Sequence, residues 1–309
     1  MRRTLEGFRS DPDAARRVDE LAQHYRSEVK RTLGPLVMAY YPALVAGGQE
    51  YAKLLELSTK MTLVGHACTE IAGETFDARH QRVAILFGCC CFLADSFLDD
   101  FGPAATREYL RRFDVLLRVG WFEIRTERER LFYVIVALLF VERDVLEPLL
   151  RQAIIRLHTA QAEDVLLRLE PERMESLGEP QQRVLLRRCA ASRSGHAIIV
   201  LAAFLVPRLS LGYMSAIFSA GSLIMFIDDH GDCYADRSDG RVTYMNRLRH
   251  PERALARIFA RYTARLQRLL APGGGRALLL GFLTRYYLTR IEKHRRQKRK
   301  GGQAWDVYE

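Results

Sequence analysis

The stretch FIDDHGDCYADRSDG, residues Phe226 to Gly240, closes a long uncharged run over residues 210–227. Five aspartates then fall within the twelve residues after Ile227. Asp228, Asp232 and Asp236 are spaced i, i+4, i+8, so a helix carries all three on one face, one turn apart. Like charges at that spacing repel one another and destabilise the helix. The apolar run before them predicts that part of this face is buried, where an unpaired carboxylate is costly. A bound cation removes the conflict. Mg²⁺ suits it, because it takes a few carboxylates and completes its shell with water and phosphate oxygen. The stretch therefore reads as a buried helix that runs on into an acidic, metal-seeking face.

Helical periodicity extends outward from there in both directions. It predicts helices over residues 14–33 (stopped by Gly34-Pro35), 49–71, 78–101 (stopped by Gly102-Pro103) and 106–119. Further helices follow over 126–169 with a break near Glu147-Pro148, and over 180–206, 209–235, 251–270 and 275–300. Strand-like alternation bounded by turn residues is scarce. The class expected is all-α, with roughly nine to twelve helices. No linker rich in proline, glycine or serine divides the chain, so one α-domain over residues 1–300 is expected, with a basic tail over 293–309.

Composition narrows the chemistry. The 309 residues are 49% apolar and 27% charged, the balance of a soluble protein with a large core. The net charge is +10, and no lysine occurs between Lys60 and Lys293. A Schiff base or lysine nucleophile is thereby excluded from the middle of the chain. The positive excess favours an anionic partner. The charged first residues give no sign of a secretory leader, and the uncharged runs read as buried helices rather than membrane spans. The six cysteines include the run Cys89–Cys91 and no CxxC pair, which points to a reduced, cytoplasmic chain without zinc. The tail KHRRQKRK reads as a solvated helix end that can draw the protein to an anionic membrane surface. No groove-reading motif accompanies the charge, so no nucleic-acid partner is expected.

A second acidic cluster lies upstream, in FLADSFLDDF. Asp95 and Asp99 are again i, i+4, and Asp100 adjoins them. This cluster also follows an apolar helix and precedes a helix breaker. If the two helices lie side by side, the clusters face each other across an apolar cavity. Two acidic rims holding several Mg²⁺ ions make a receptor for a diphosphate.

The two motifs together resemble the signature of class I terpene synthases, of the isoprenoid synthase fold. The first family motif is DDxx(D/E); here it is similar to Asp95-Ser96-Phe97-Leu98-Asp99, with serine in second place. The second has metal ligands at relative positions 0, 4 and 8 and often glycine at 12, matched here by Asp228, Asp232, Asp236 and Gly240. The all-aspartate variant after a DxxxD-type motif is most similar to the bacterial large terpene synthases. Squalene and phytoene synthases share the fold and the DSFLDD pattern, but their second motif usually has glycine near position 8, where this chain has Asp236.

The resemblance implies a single-domain helical bundle around a central apolar cavity. It also implies three Mg²⁺ ions with bound diphosphate, held by Asp95, Asp99, Asp100, Asp228, Asp232 and Asp236, with Asp95 and Asp228 essential for catalysis. The substrate implied is a linear prenyl diphosphate of C15–C35, ionised to an allylic cation and cyclised. Arginines are expected to grip the diphosphate. In RVLLRRCAASRSGHA, a family arginine near a helix break corresponds to Arg188 or Arg193, with Arg183 and Arg187 competing. A family Arg-Tyr pair near the C-terminus corresponds to Arg285-Tyr286, and Tyr244 and Asn246 are weaker site candidates. Phe92, Phe97 and Phe226 are expected in the core, and His196 as a packed residue. A homodimer is compatible with the reading. A prenyl-coupling transferase of the squalene/phytoene type and a non-catalytic helical scaffold are the alternatives.

Overall fold

The computed structural model describes residues 12–100, 102–144, 147–169 and 174–300, with side chains over 13–95, 105–144, 147–165, 167 and 174–299. Among the described residues there are eleven α-helices and no strand, so the protein is all-α. In chain order they are α1 (Pro12–Tyr40), α2 (Pro42–Ala46), α3 (Gln49–Ile71), α4 (Ala78–Asp100), α5 (Gly102–Val119) and α6 (Glu127–Glu142). They continue with α7 (Pro148–Leu169), α8 (Glu179–Leu205), α9 (Leu211–Ser238), a 3₁₀ turn (Met245–Arg247), α10 (Pro251–Leu269) and α11 (Gly274–Lys300). The helices fall into two compact units. One holds Arg16–Gln152 with Leu201–Arg208; the other holds Ala153–Val200 and the chain from Leu209 on.

In the first of these, α3 and α4 form the central pair. The run Val83–Phe87 is buried all round the helix, as expected of a core helix rather than an amphipathic surface one. The threonines of α3 are satisfied within the helix: Thr62 Oγ1 donates to Ser58 O at 2.8 Å and Thr69 Oγ1 to Gly65 O at 2.9 Å. The α6 N-terminus has a reciprocal cap, in which Thr126 Oγ1 accepts from Glu129 N and the Glu129 carboxylate accepts from Thr126 N. Glu129 also receives the buried Arg112 guanidinium, whose Nη1 donates to Glu123 O at 2.7 Å. Arg143 closes the segment after α6. It pairs with Glu147 and donates to the carbonyls of Ala203, Val206 and Pro207, which the end of α8 leaves without helical donors.

Two expectations about helix ends are corrected. Helix α1 does not stop at Gly34-Pro35 but runs through Pro35 to Tyr40. A proline inside a helix removes one hydrogen bond and crowds the preceding turn. Here Leu33 and Val37, one turn apart on either side of it, are both fully buried, and that burial holds the helix together. Helix α9 does not end at Ala235 but continues to Ser238. Its stop is a Schellman turn: Arg241 N donates to Asp236 O at 2.7 Å and Gly240 N to Arg237 O at 3.1 Å. Gly240 sits at φ +69°, where a side chain would be strained. The extension matters, because it keeps Asp236 helical and in line with Asp228 and Asp232.

In the other unit α9 is the central element, packed against α10 and α11. Ser210 caps its start, accepting from Tyr213 N at 3.2 Å. Its apolar stretch is long enough to cross a membrane by composition, yet Ala216, Ile217, Ala220, Leu223, Phe226 and Ile227 are buried in this unit. Helix α8 crosses α9 at Gly195 and Gly221. A Cβ on Gly221 would stand 2.4 Å from Ser194 O and 2.9 Å from Gly195 Cα, so the backbones meet at closest approach. The Ser222 hydroxyl donates to Ala191 O at 3.0 Å across the same crossing.

Candidate active site on helix α9

The acidic face of α9 meets a basic face of α11. The residues Tyr286, Arg290 and Lys293 follow at i, i+4, i+7 and so share one side of α11. The Tyr286 hydroxyl donates to Asp228 Oδ1 and accepts from Arg290 Nε at 3.1 Å and Nη2 at 3.0 Å. Arg290 also pairs with Asp228 directly and reaches Asp232 Oδ2 at 3.6 Å. The Lys293 ammonium bonds Asp232 Oδ1. Two side-chain cations and a phenol thus meet Asp228 and Asp232 on this face.

Gly231 makes that clasp possible. It lies between the two aspartates, and a Cβ there would stand 2.6 Å from Arg290 Cδ and 3.1 Å from Arg290 Cβ. Burial pushes the Tyr286 phenol up, and Asp228 pushes it further, so it stays a donor. Burial alone would lower the Arg290 guanidinium, but Asp228, Tyr286 and Asp232 outweigh it and hold it charged. Below this clasp His230 is fully buried, with neither ring nitrogen hydrogen-bonded, and its ring lies 4.1 Å from that of His294. Burial most of all, together with His294 and Arg295, depresses His230 to about 3, so it is a neutral packed ring. His294 Nδ1 bonds His230 O at 3.0 Å and fixes the last turns of α11 onto α9.

A second set of charges lies toward α7 and α8. Arg193 Nη1 donates to Asp164 Oδ2 at 2.6 Å, and both side chains are mostly buried. Burial pushes the Asp229 carboxyl well above the usual range. Arg193 opposes that shift, while Asp228, Asp236 and Asp164 reinforce it. Arg193 thus acts on the same helix that carries the aspartate triplet. Arg188 does not share this setting: its side chain is 63% exposed, with Glu163 at 3.8 Å. Arg183 pairs with Glu179 at 2.9 Å near the start of α8, and Arg187 is half-buried. Helix α8 runs unbroken past all four arginines, so no helix break accompanies them.

The remaining sequence candidates fall as follows. Arg285 is on the exposed side of α11, while its neighbour Tyr286 enters the clasp. Asn246 shapes the turn after α9: its side chain accepts from Thr243 N at 2.9 Å and donates to Arg241 O at 2.8 Å. Tyr244 packs on the fully buried Phe226 at 5.6 Å, and Phe92 is buried too. His196 packs edge-on to Phe218 at 5.1 Å. Asp95 lies in the unit built on α3 and α4. It is half-buried near the end of α4, where its charge adds to the burial that pushes the Cys90 thiol up to about 12. Burial likewise pushes the Cys89 and Cys91 thiols up, which favours the protonated form along the run. The side chains of Phe97, Asp99 and Asp100 lie outside the described residues.

The donor set on α9 suits a hard divalent cation: carboxylate oxygens at successive turns, with no competing sulfur or imidazole ligand among them. Among the described residues no three acidic, histidine or cysteine side chains come together in a group that could hold a metal ion. Mg²⁺ does not require three such side chains, since one or two carboxylates and phosphate oxygens commonly hold it. Arg290, Lys293, Asp164 and Asp229 were not singled out by sequence. The first two had a signal, the i, i+4, i+7 spacing with Tyr286; the pairing of Asp164 with Arg193 joins separate helices and left none.

No protein family model matches the chain, and no curated protein sequence matches it.

Proposed function

We propose that the chain is a Mg²⁺-dependent class I terpene synthase that ionises a linear prenyl diphosphate and cyclises the allylic cation, releasing diphosphate. The observation that carries this reading is the composition of one helix face and its neighbours. Three aspartates lie a turn apart on α9, and Arg290, Lys293, Tyr286 and Arg193 bear on the same helix. Carboxylates for divalent cations beside cations for phosphate oxygens are what a metal-diphosphate receptor needs. Bound Mg²⁺ supplies the charge that stabilises the departing diphosphate.

The chain's own residues have distinct parts in this proposal. In this reading Asp228, Asp232 and Asp236 would offer metal oxygens from α9, and Asp95 is the ligand that the resemblance assigns to the first motif. Arg193 would offer phosphate oxygens a planar fork, while Arg290 holds the aspartates and Tyr286 in place. Tyr286 holds the Asp228 carboxylate in orientation through its hydroxyl proton. Water would have to stay excluded from the cyclised cation until it loses a proton, for which the released diphosphate is an available base.

The test is a substrate panel. Purified protein is incubated with Mg²⁺ and C10, C15, C20, C25 or C30–C35 prenyl diphosphates, with diphosphate release and extracted products followed. The expected result is release abolished by EDTA and a cyclic hydrocarbon or alcohol with the substrate's carbon count. A product of doubled carbon count would transfer the protein to the coupling transferases, and no release from any substrate would overturn the reading.

The contrast between Arg193 and Arg188 gives a sharper check. Arg193→Gln is expected to lower kcat/KM for diphosphate release by about tenfold to a hundredfold, as for loss of one bidentate phosphate contact. Arg188→Gln, at an exposed site, is expected to stay within about twofold. Equal effects would remove Arg193 from the site.

A further inference from the structure

The clasp on α9 is electrically balanced before any ligand arrives. Asp228 and Asp232 contribute two negative charges, and Arg290 and Lys293 two positive ones. A dication entering alone meets carboxylates whose charge is already matched, and it must expel a cation to gain a ligand. A dication entering with a diphosphate meets a different balance, because the diphosphate offers anionic oxygens to whichever cation is displaced.

The two cations are not equally free to leave. The Arg290 side chain is 17% exposed, lies against Gly231, and is tied to Tyr286 as well as to both aspartates. The Lys293 side chain is 39% exposed, and Asp232 is the carboxylate it reaches. Its four-carbon stem can swing while α11 stays docked through His294 and His230 O.

We propose that Lys293 is a resident counter-ion that stands in for the metal at Asp232, so that the divalent cation enters together with a diphosphate, which takes over the lysine ammonium. This rests on the metal-dependent reading above. It makes Lys293 a positioning residue that sets the order of binding, and it keeps the acidic face from capturing divalent ions without substrate.

The test measures binding rather than turnover, on the full chain, by calorimetry and by Mn²⁺ electron paramagnetic resonance. The probes are MnCl₂ alone and MnCl₂ with inorganic pyrophosphate. The wild-type chain is expected to bind Mn²⁺ at least about tenfold more tightly with pyrophosphate than without. Lys293→Gln is expected to tighten binding of Mn²⁺ alone by about tenfold and to shrink the gain from pyrophosphate. Lys293→Arg and the exposed tail control Lys298→Gln are expected to behave as wild type. Lys293→Met, which keeps the apolar stem, serves with the same outcomes if Lys293→Gln loses its fold. If Lys293→Gln leaves Mn²⁺ affinity unchanged or weaker while wild type binds Mn²⁺ with pyrophosphate, the counter-ion role is overturned and the metal-dependent reading stands. If no variant binds Mn²⁺ under either condition, both fall.

Discussion

If the proposed metal-dependent function holds, Asp228→Ala is expected to lower diphosphate release by about a thousandfold or more, because it removes a proposed metal ligand and the anchor of the α11 clasp together. Tyr286 loses the acceptor of its hydroxyl proton, and Arg290 loses its closest carboxylate. The fold should survive. Asp228 is 39% exposed and Arg290 keeps Asp232 at 3.6 Å, so the stability loss should be about 1–2 kcal/mol, below that of breaking a fully buried ion pair. Asp228→Asn keeps the shape and an acceptor for Tyr286 but carries no charge. It should therefore lose release nearly as completely while melting closer to wild type. Asp95→Ala is the companion from the first motif and should be equally inactive. The measurement is steady-state release of diphosphate beside a circular dichroism melt. Undiminished release in Asp228→Ala and Asp95→Ala with an intact fold would remove the aspartates from the site and favour a helical scaffold.

How much of this was legible in the sequence depended on how local the cause was. Helix α3 has the bounds that its periodicity gives, Gln49 to Ile71, because flanking glycines and an apolar pattern over neighbouring turns decide it. The aspartate face of α9 was legible for the same reason, since i, i+4 spacing is a property of one helix. Pro35 misled because proline speaks for the local backbone, whereas the burial of Leu33 and Val37 comes from other helices. Arg285 is the arginine that the family's Arg-Tyr pair implies, because it adjoins Tyr286 in the chain. One turn on, Arg290 shares the Tyr286 face, and Arg285 does not. Among the four arginines near the start and middle of α8, sequence could not separate Arg193 from Arg188. What separates them is Asp164, on another helix, and the burial of Arg193 beside it.

The α8–α9 crossing supplies the other large expected effect, at Gly221, and the three glycines of α9 form a graded series. At Gly212 a methyl would have nothing within 4 Å, so Gly212→Ala should leave activity unchanged and stabilise by up to about 1 kcal/mol through helix propensity. At Gly231 a methyl meets the Arg290 side chain, with Cδ at 2.6 Å. Gly231→Ala should displace that arginine and lower kcat/KM by about tenfold, with little loss of stability, because a side chain can move where a backbone cannot. At Gly221 a methyl meets backbone, Ser194 O at 2.4 Å and Gly195 Cα at 2.9 Å. Helices α8 and α9 must then separate, and the Ser222 hydrogen bond to Ala191 O stretches with them. Gly221→Ala should cost about 1–3 kcal/mol or more, the range for overpacking a filled interior. On the proposed function it should also lower kcat/KM by about a hundredfold, since a shift of about 1 Å at Arg193 would spoil its proposed contact with the diphosphate. Denaturant midpoints and diphosphate release measured on the three variants should rank them Gly212, Gly231, Gly221 in increasing damage. A Gly221→Ala variant as stable and active as wild type would mean that α8 does not rest on α9 at this point, and that Arg193 owes its position to something other than the crossing.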